Sequence, residues 1–366
     1  MKWNDFFKDI LEKVKEKRLI PDPKGLIGWS CSYIPLEIIE ALNFIPIRII
    51  AQTNGEIGDA YLDPNFCPYI KAIMGDMITN KYDYISGYIL TNSCDGMKRL
   101  FDLLRFHQKS SFAFLLDVPH KVDNSSILFF KEKLREMISA FEEKFSIRMD
   151  ENDLIESIQN ANQTRRFIRV LFSLQGRGYP PLRHSEIMEI IKYAFDTERL
   201  IFNESIKIFI EYLQKQSQIP IHNDKRILIT GSLFVTIDII RLIEELGAEV
   251  AFTDLCMGGR VLEDVNLDRD PLLSISRSYL EKFPCARMLA TELRCQRLMQ
   301  EIERNRIKGV IYYTLKFCDP YLFEAPYIIE QLRKKDIPVL LLEGEYSSRV
   351  PEAMRTRIQA FLETID

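Results

Sequence analysis

The side chains best suited to chemistry in this chain are seven cysteines: Cys31, Cys67, Cys94, Cys256, Cys285, Cys295 and Cys318. In a reducing cytoplasm such thiols are not expected to form structural disulfides. Three roles remain: buried apolar filler, metal ligand and nucleophile. Taken singly, a free cysteine is most often filler, but the surrounding strings argue otherwise. Cys94 follows the apolar run YDYISGYILT and opens a helical run; Cys318 follows VIYYTLKF and again precedes a helix. Cys256 follows AEVAFTD, and Cys31 ends LIGWS. Cys67 and Cys285 lie in the loops DPNFCPY and FPCAR. Only Cys295, inside the helical run TELRCQRL, reads as packing. A helix start favours thiolate through its dipole and free N–H groups, and thiolate is the form that binds iron. The chain has no CxxC pair, so zinc-finger, ferredoxin and thioredoxin spacings are unsupported.

The elements that must carry these thiols can be read from hydrophobic period and punctuation. Residues 1–20 form an amphipathic helix that PDPKG breaks. Four apolar runs then alternate with helical stretches up to about residue 120 (LIGWS, PIRIIA, YDYISGYILT, SFAFLLDVP), which predicts a parallel sheet with helices on its faces. From 124 to 218 every segment carries a 3.6-residue apolar stripe, so this stretch is helical. A second β-α-β series begins at Lys225 with RILITGS, AEVAFTD, KGVIYYTLKF and IPVLLLEGE, and RTRIQAFLETI closes it. The expected fold is α/β: two doubly wound parallel-sheet domains joined by a helical segment. The boundaries are 1–123 with the leading helix, 124–222 for the helical link, and 223–366. In such sheets functional residues gather where strands end and helices begin, and six of the seven cysteines fall in loops or at strand ends.

The net charge of −4 gives no cationic field for nucleic acid or an anionic membrane. The apolar runs are far shorter than the roughly 20 residues that span a bilayer, and the N-terminus lacks a signal-peptide core. The expectation is a cytoplasmic protein. No GxxxxGK[ST] string occurs, so ATP hydrolysis by this chain is not expected.

Other residues each carry two readings. Asp95, Asp254 and Asp319 adjoin cysteines and read first as helix caps, and second as groups that position the thiol loops. Glu343 and Glu345, after the strand IPVLLLEGE, are candidate acid/base groups, with surface roles ahead. Arg260, Arg355 and Arg357 could meet phosphate, with ordinary ion pairing ahead. The histidines His107, His120, His184 and His222 show no ligand spacing.

The strings GWSCSYIPLEIIEALNFIPIRI, NFCPYIKAIMGD, TNSCDGMKRLFD, FTDLCMGGR, KGVIYYTLKFCDPYLFEAPYIIEQLRKKDIPVLLLEGEY and RTRIQAFLE carry a family likeness. They resemble the 2-hydroxyacyl-CoA dehydratase D-component family, which includes benzoyl-CoA reductase subunits and double-cubane cluster proteins. The resemblance runs from about residue 25 to 364. It implies two Rossmann-like domains holding a low-potential iron–sulfur cluster, and a separate ATP-hydrolysing activator protein that injects one electron. In dehydratases that electron reduces an acyl-CoA thioester to a ketyl radical, which expels the hydroxyl. Cys67, Cys94 and Cys318 fall at the positions of three cluster ligands. Cys31, Cys256 and Cys285 fall where double-cubane members also have cysteine. A single 4Fe-4S cluster and an 8Fe-9S double cubane both stay open, as do a homodimer and a paralogous heterodimer. The expected activity is that of an iron–sulfur lyase or oxidoreductase acting on acyl-CoA. The alternatives are a homodimeric double-cubane reductase of small molecules and a non-catalytic electron-transfer protein.

Overall fold

The structure, a computed structural model, describes residues 3–17, 25–52, 55–107, 112–178, 180–217, 220, 223–232, 237–346 and 349–365. His222 lies outside them. Two four-stranded sheets form, both wholly parallel. The first has β1 (Leu26–Trp29), β2 (Ile45–Arg48), β3 (Gly87–Thr91) and β4 (Phe112–Leu116), in the order β2-β1-β3-β4. The second has β5 (Arg226–Gly231), β6 (Glu249–Asp254), β7 (Gly309–Leu315) and β8 (Val339–Gly344), in the order β6-β5-β7-β8. Each half therefore repeats one winding, in which the chain reverses direction between its first and third strands. β3 and β7, central and buried along their whole length, are the continuous apolar runs such strands require. YDYISGYILT is only half strand: Tyr82 to Ser86 make a turn, closed by the Ile85 N–H on the Tyr82 carbonyl at 2.9 Å.

In the first half α1 (Trp3–Lys17) precedes β1, while α2 (Leu36–Ala41), α3 (Pro68–Ile78) and α4 (Asp95–His107) run between strands. The link is α5 (Asn124–Phe145), α6 (Glu151–Ser173), α7 (His184–Tyr193) and α8 (Arg199–Lys215). In the second half come α9 (Asp238–Glu245), α10 (Pro271–Glu281), α11 (Thr291–Arg304), α12 (Asp319–Arg333) and α13 (Glu352–Glu363). α1 packs on the link, with Phe7 edge-on to Phe202 and Phe209 of α8. Asp123 and Asp150 cap α5 and α6 by accepting from the Ser126 and Asn152 amides.

Polar contacts fix the two sheets to each other. Tyr279 of α10 donates to Glu37 at 2.7 Å, and Arg165 of α6 pairs with the same carboxylate at 2.5 Å. Lys282 sits between the Tyr33 and Tyr279 rings, 4.4 and 4.5 Å from their centres, and donates to the Ser32 carbonyl. Leu289 N–H reaches the His120 carbonyl at 2.8 Å, and the Tyr346 hydroxyl reaches the Ala51 carbonyl at 3.0 Å.

His184 ties the link to the second sheet. Its ring nitrogens meet Gln175 Oε1 at 2.9 Å and Thr253 Oγ1 at 3.0 Å. Burial pushes its pKa down to about 3. The native state thus refuses a proton that the unfolded chain accepts below about pH 6.5, and stability falls as pH drops through that window. For His184→Gln, the slope of unfolding free energy against pH between about 6 and 4 should be shallower by up to about 1.4 kcal/mol per pH unit. Urea titrations at a series of pH values would measure it, and equal slopes would refute it.

Candidate functional site

The winding of each half decides what lies at its sheet's carboxyl edge. Where neighbouring strands lead off in opposite directions, the loops part and leave a crevice. In the first half the loops beyond β1 and β3 carry Cys31 and Cys94. In the second half the equivalent loops beyond β5 and β7 carry Ser232 and Cys318. The two crevices face each other and merge into one cavity of about 270 Å³. Cys31, Cys67, Cys94, Cys256, Cys285 and Cys318 all line it. Cys295 does not; it is buried on α11, as its helical setting suggests. Cys67 and Cys318 are the N-cap residues of α3 and α12, each followed by proline in the first turn. Proline there gives up no needed hydrogen bond. The Cys94 sulfur accepts from the Met97 amide at 3.4 Å, the place a capping oxygen would take.

The thiols sort into two groups by which charges they feel. Cys94 and Cys318 each feel Cys67, and Cys318 also feels Cys94. Cys285 feels Cys31 and Cys256. One group is therefore Cys67, Cys94 and Cys318, and the other Cys31, Cys256 and Cys285. The Cys31 charge also reaches Cys94, so the groups adjoin. Each group draws thiols from both halves. Among the described residues no three Cys, His, Asp or Glu side chains close on one point as ligands of a single ion do; the six thiols instead surround a cavity.

The helix-start argument for thiolate is only partly realised. The Cys318–Cys67 hydrogen bond, foremost, holds Cys67 below the usual thiol range, helped by the Tyr69 and Ile70 amides, and holds Cys318 well above it. Burial pushes Cys94 and Cys285 up to about 11, against the Met97 amide at Cys94 and against Arg260 and Arg287 at Cys285. Such thiols release their protons when a metal takes the proton's place.

Cations stand behind the thiols. Arg287, 6% exposed, donates to the Val118 carbonyl at 2.8 Å and lies over the Tyr33 ring at 5.2 Å. Arg48, 5% exposed, lies over the Trp29 ring at 4.3 Å. Both line the cavity, and Arg48 Nε and Nη1 and Arg287 Nε have no hydrogen-bond partner. Arg260 touches Cys256 Sγ at 3.8 Å. Its other bonds go to Asp254 at 2.5 Å, the Gly231 carbonyl at 3.1 Å and the Tyr321 hydroxyl. Gly231 can take part because it has φ +140° and its backbone passes so close to Tyr313 that a Cβ would overlap the carbonyl.

Of the other sequence candidates, Asp95 and Asp319 stand exposed at the cavity rim. Asp254 caps no helix; it is wholly buried between Arg260 and Arg294. Arg260 is an internal ion-pair residue rather than a phosphate contact. The structure does not bring Glu343 or Glu345 to the cavity: both are exposed, and Glu345 pairs with Lys316 at 2.5 Å. Arg355 and Arg357 are exposed on α13. Sequence reading passed over Arg48, Arg287 and Lys282. Arg48 had a visible signal, a charge inside the apolar strand run FIPIRII, where only a buried partner or ligand makes it tolerable.

Fold and site together define a class, the two-lobed α/β protein built round a thiol-lined cleft. The sequence model of the family described as 2-hydroxyglutaryl-CoA dehydratase, D-component, matches residues 31–365, and the chain belongs to that family. It is 26% identical over 93% of its length to "Putative dehydratase subunit YjiM" of Escherichia coli (strain K12), covering 91% of that protein. It is 22% identical to the (R)-phenyllactyl-CoA dehydratase beta subunit of Clostridium sporogenes, over 99% of this chain and 98% of the other. Against a benzoyl-CoA reductase subunit of Thauera aromatica the identity is 21%, over 94% and 92%. Among the described residues no helix is long and apolar enough to cross a membrane.

Proposed function

We propose that this chain is the iron–sulfur component of a reductive enzyme of the acyl-CoA dehydratase and reductase type, supplied with low-potential electrons by a separate ATP-hydrolysing activator. Family membership supports an enzyme of that type. Relatives named as single subunits of a dehydratase and of a reductase support a multi-component assembly. The observation that carries the reading is the gathering of six thiols from both halves on one cleft.

The residues fit an iron–sulfur group. Thiolates are its usual ligands. A thiolate-held cluster is anionic, and buried guanidinium N–H groups without partners lie in the same wall. The cavity, at about 270 Å³, falls below the roughly 300–1,000 Å³ of pockets for drug-sized organic ligands. It suits a compact inorganic group. When bound, that group supplies low-potential electron storage and transfer. The chain's own part is to hold it by Cys67, Cys94 and Cys318 and by Cys31, Cys256 and Cys285. Phe66, Ile70 and Leu315 give the wall an apolar face.

Two thiol groups favour the double-cubane arrangement, because a single 4Fe-4S cluster on Cys67, Cys94 and Cys318 would leave three adjoining thiols idle. Protein purified without oxygen should be brown and carry about eight irons per chain. About four would favour the single-cluster form, and a colourless, iron-free preparation from anaerobically grown cells would overturn the reading.

A further inference from the structure

Arg48 is the least explained charge among the described residues. It closes β2, its backbone in register with Trp29 of β1, two residues before Cys31. Its guanidinium is stacked on the Trp29 ring and only 5% exposed. Nε and Nη1 have no partner, and no carboxylate closes an ion pair with it among the described residues. Asp196 feels its charge without pairing with its guanidinium. An unpaired buried guanidinium is costly, and nothing in the packing of the strand requires it. A chain that only had to fill this space would use an uncharged side chain.

Its place gives the reason. Arg48 lines the cavity. Tyr69, in the first turn of α3, feels Arg48 together with Cys67 of one thiol group and with Cys31 and Cys256 of the other. Arg48 therefore stands in the wall of the cavity that both thiol groups line, with unpartnered N–H donors held against a stacked ring. Guanidinium keeps its charge at any working pH, and its fork suits an extended anion better than an ammonium does. Charge-assisted hydrogen bonds of this kind are about twice as strong as neutral ones.

We propose that Arg48 is a positioning residue for an anionic iron–sulfur group, donating to it from the wall of the cavity that the six thiols line. This rests on the six-thiol reading above. Its guanidinium favours the more negative, reduced form of that group and completes a pairing that the polypeptide leaves open. Trp29 sets its direction, since stacking removes the freedom to swing toward solvent.

The experiment compares wild type, Arg48→Gln and Arg48→Lys as full-length protein, purified without oxygen, and as apoprotein after chelation. Iron content, reduction potential followed by electron paramagnetic resonance, and melting temperature are read for each. In Arg48→Gln the reduction equilibrium should shift toward the oxidised form by at least tenfold, about 59 mV lower for one electron. Arg48→Lys should recover most of that shift. Loaded Arg48→Gln should melt below loaded wild type, whereas its apoprotein should be at least as stable as wild-type apoprotein, because an orphaned charge has been removed. A purely structural role in holding Trp29 would lower both forms alike, and that result, or an unchanged potential, would overturn the proposal. Iron-free wild type would instead remove the cluster reading on which it stands.

Discussion

Replacing Cys318 with Ala is expected to remove at least half of the iron, while Cys295→Ala leaves the iron content unchanged. The two thiols differ in placement. Cys318 caps α12, contacts Cys67 and lines the cavity, whereas Cys295 is packed within α11 away from it. A cubane short of one protein thiolate has an iron open to water and oxygen, and the loss of metal propagates because binding and local order are coupled. Cys256→Ala extends the test. If both thiol groups hold iron, this substitution also removes at least half; if one cubane sits on Cys67, Cys94 and Cys318, iron stays near the wild-type value. Full iron in Cys318→Ala would strike that residue from the ligands. Colorimetric iron and sulfide assays on matched anaerobic preparations suffice for all three variants.

Asp254→Ala should be among the most destabilising single changes in the second half. Asp254 is wholly buried and pairs with Arg260 at 2.5 Å and Arg294 at 2.6 Å; Thr230 donates to it at 2.6 Å. Arg294 also pairs with Glu324, and Arg260 with Tyr321. Deleting the central carboxylate leaves two guanidinium groups buried with too few acceptors. Breaking one buried pair costs roughly 3–5 kcal/mol, which in a domain of this size lowers the melting temperature by on the order of 10 °C. The same site sets an acid limit. Burial raises the Asp254 pKa, but Arg260 and Arg294 more than offset it, and the result lies below the usual carboxylate value. A lowered native pKa gives stability that is fully present above the unfolded value, near 3.9, and is lost as pH falls through the native one. Asp254→Asn should therefore lose less of its remaining stability below about pH 4 than wild type loses. Thermal melts of apoprotein would record both effects. A melting temperature within a degree or two of wild type for Asp254→Ala would show that the network relaxes around the gap.

Much of this was legible in the residues. The strands were readable because buried parallel strands are continuous apolar runs, as in KGVIYYTLKF, and the linking helices because their stripes are long and regular. The thiols were placeable because a cysteine after a strand and before a helix lands on a predictable edge of a doubly wound sheet. Two things were out of reach. Strand order is a long-range choice, so nothing in the sequence said that both halves share one order, although the family likeness implied that thiols of both halves meet. Charges buried by tertiary contact were also missed. Arg260 looked available for phosphate, but its partners Asp254, Gly231 and Tyr321 converge on it only in the fold. Glu343 and Glu345 stand at the end of an apolar run as catalytic groups often do, yet Glu343 lies inside the edge strand β8 and Glu345 just beyond it, both exposed.

The sharing of each thiol group between the halves bears on biogenesis. Cys67 and Cys94 are synthesised well before their companion Cys318; Cys31 likewise waits for Cys256 and Cys285. On the proposed six-thiol reading, neither lobe made alone would carry a full complement, so metal insertion would follow synthesis of both lobes and the closing of one on the other. Maturation would then act as a proofreading step, in which only a correctly docked molecule acquires colour.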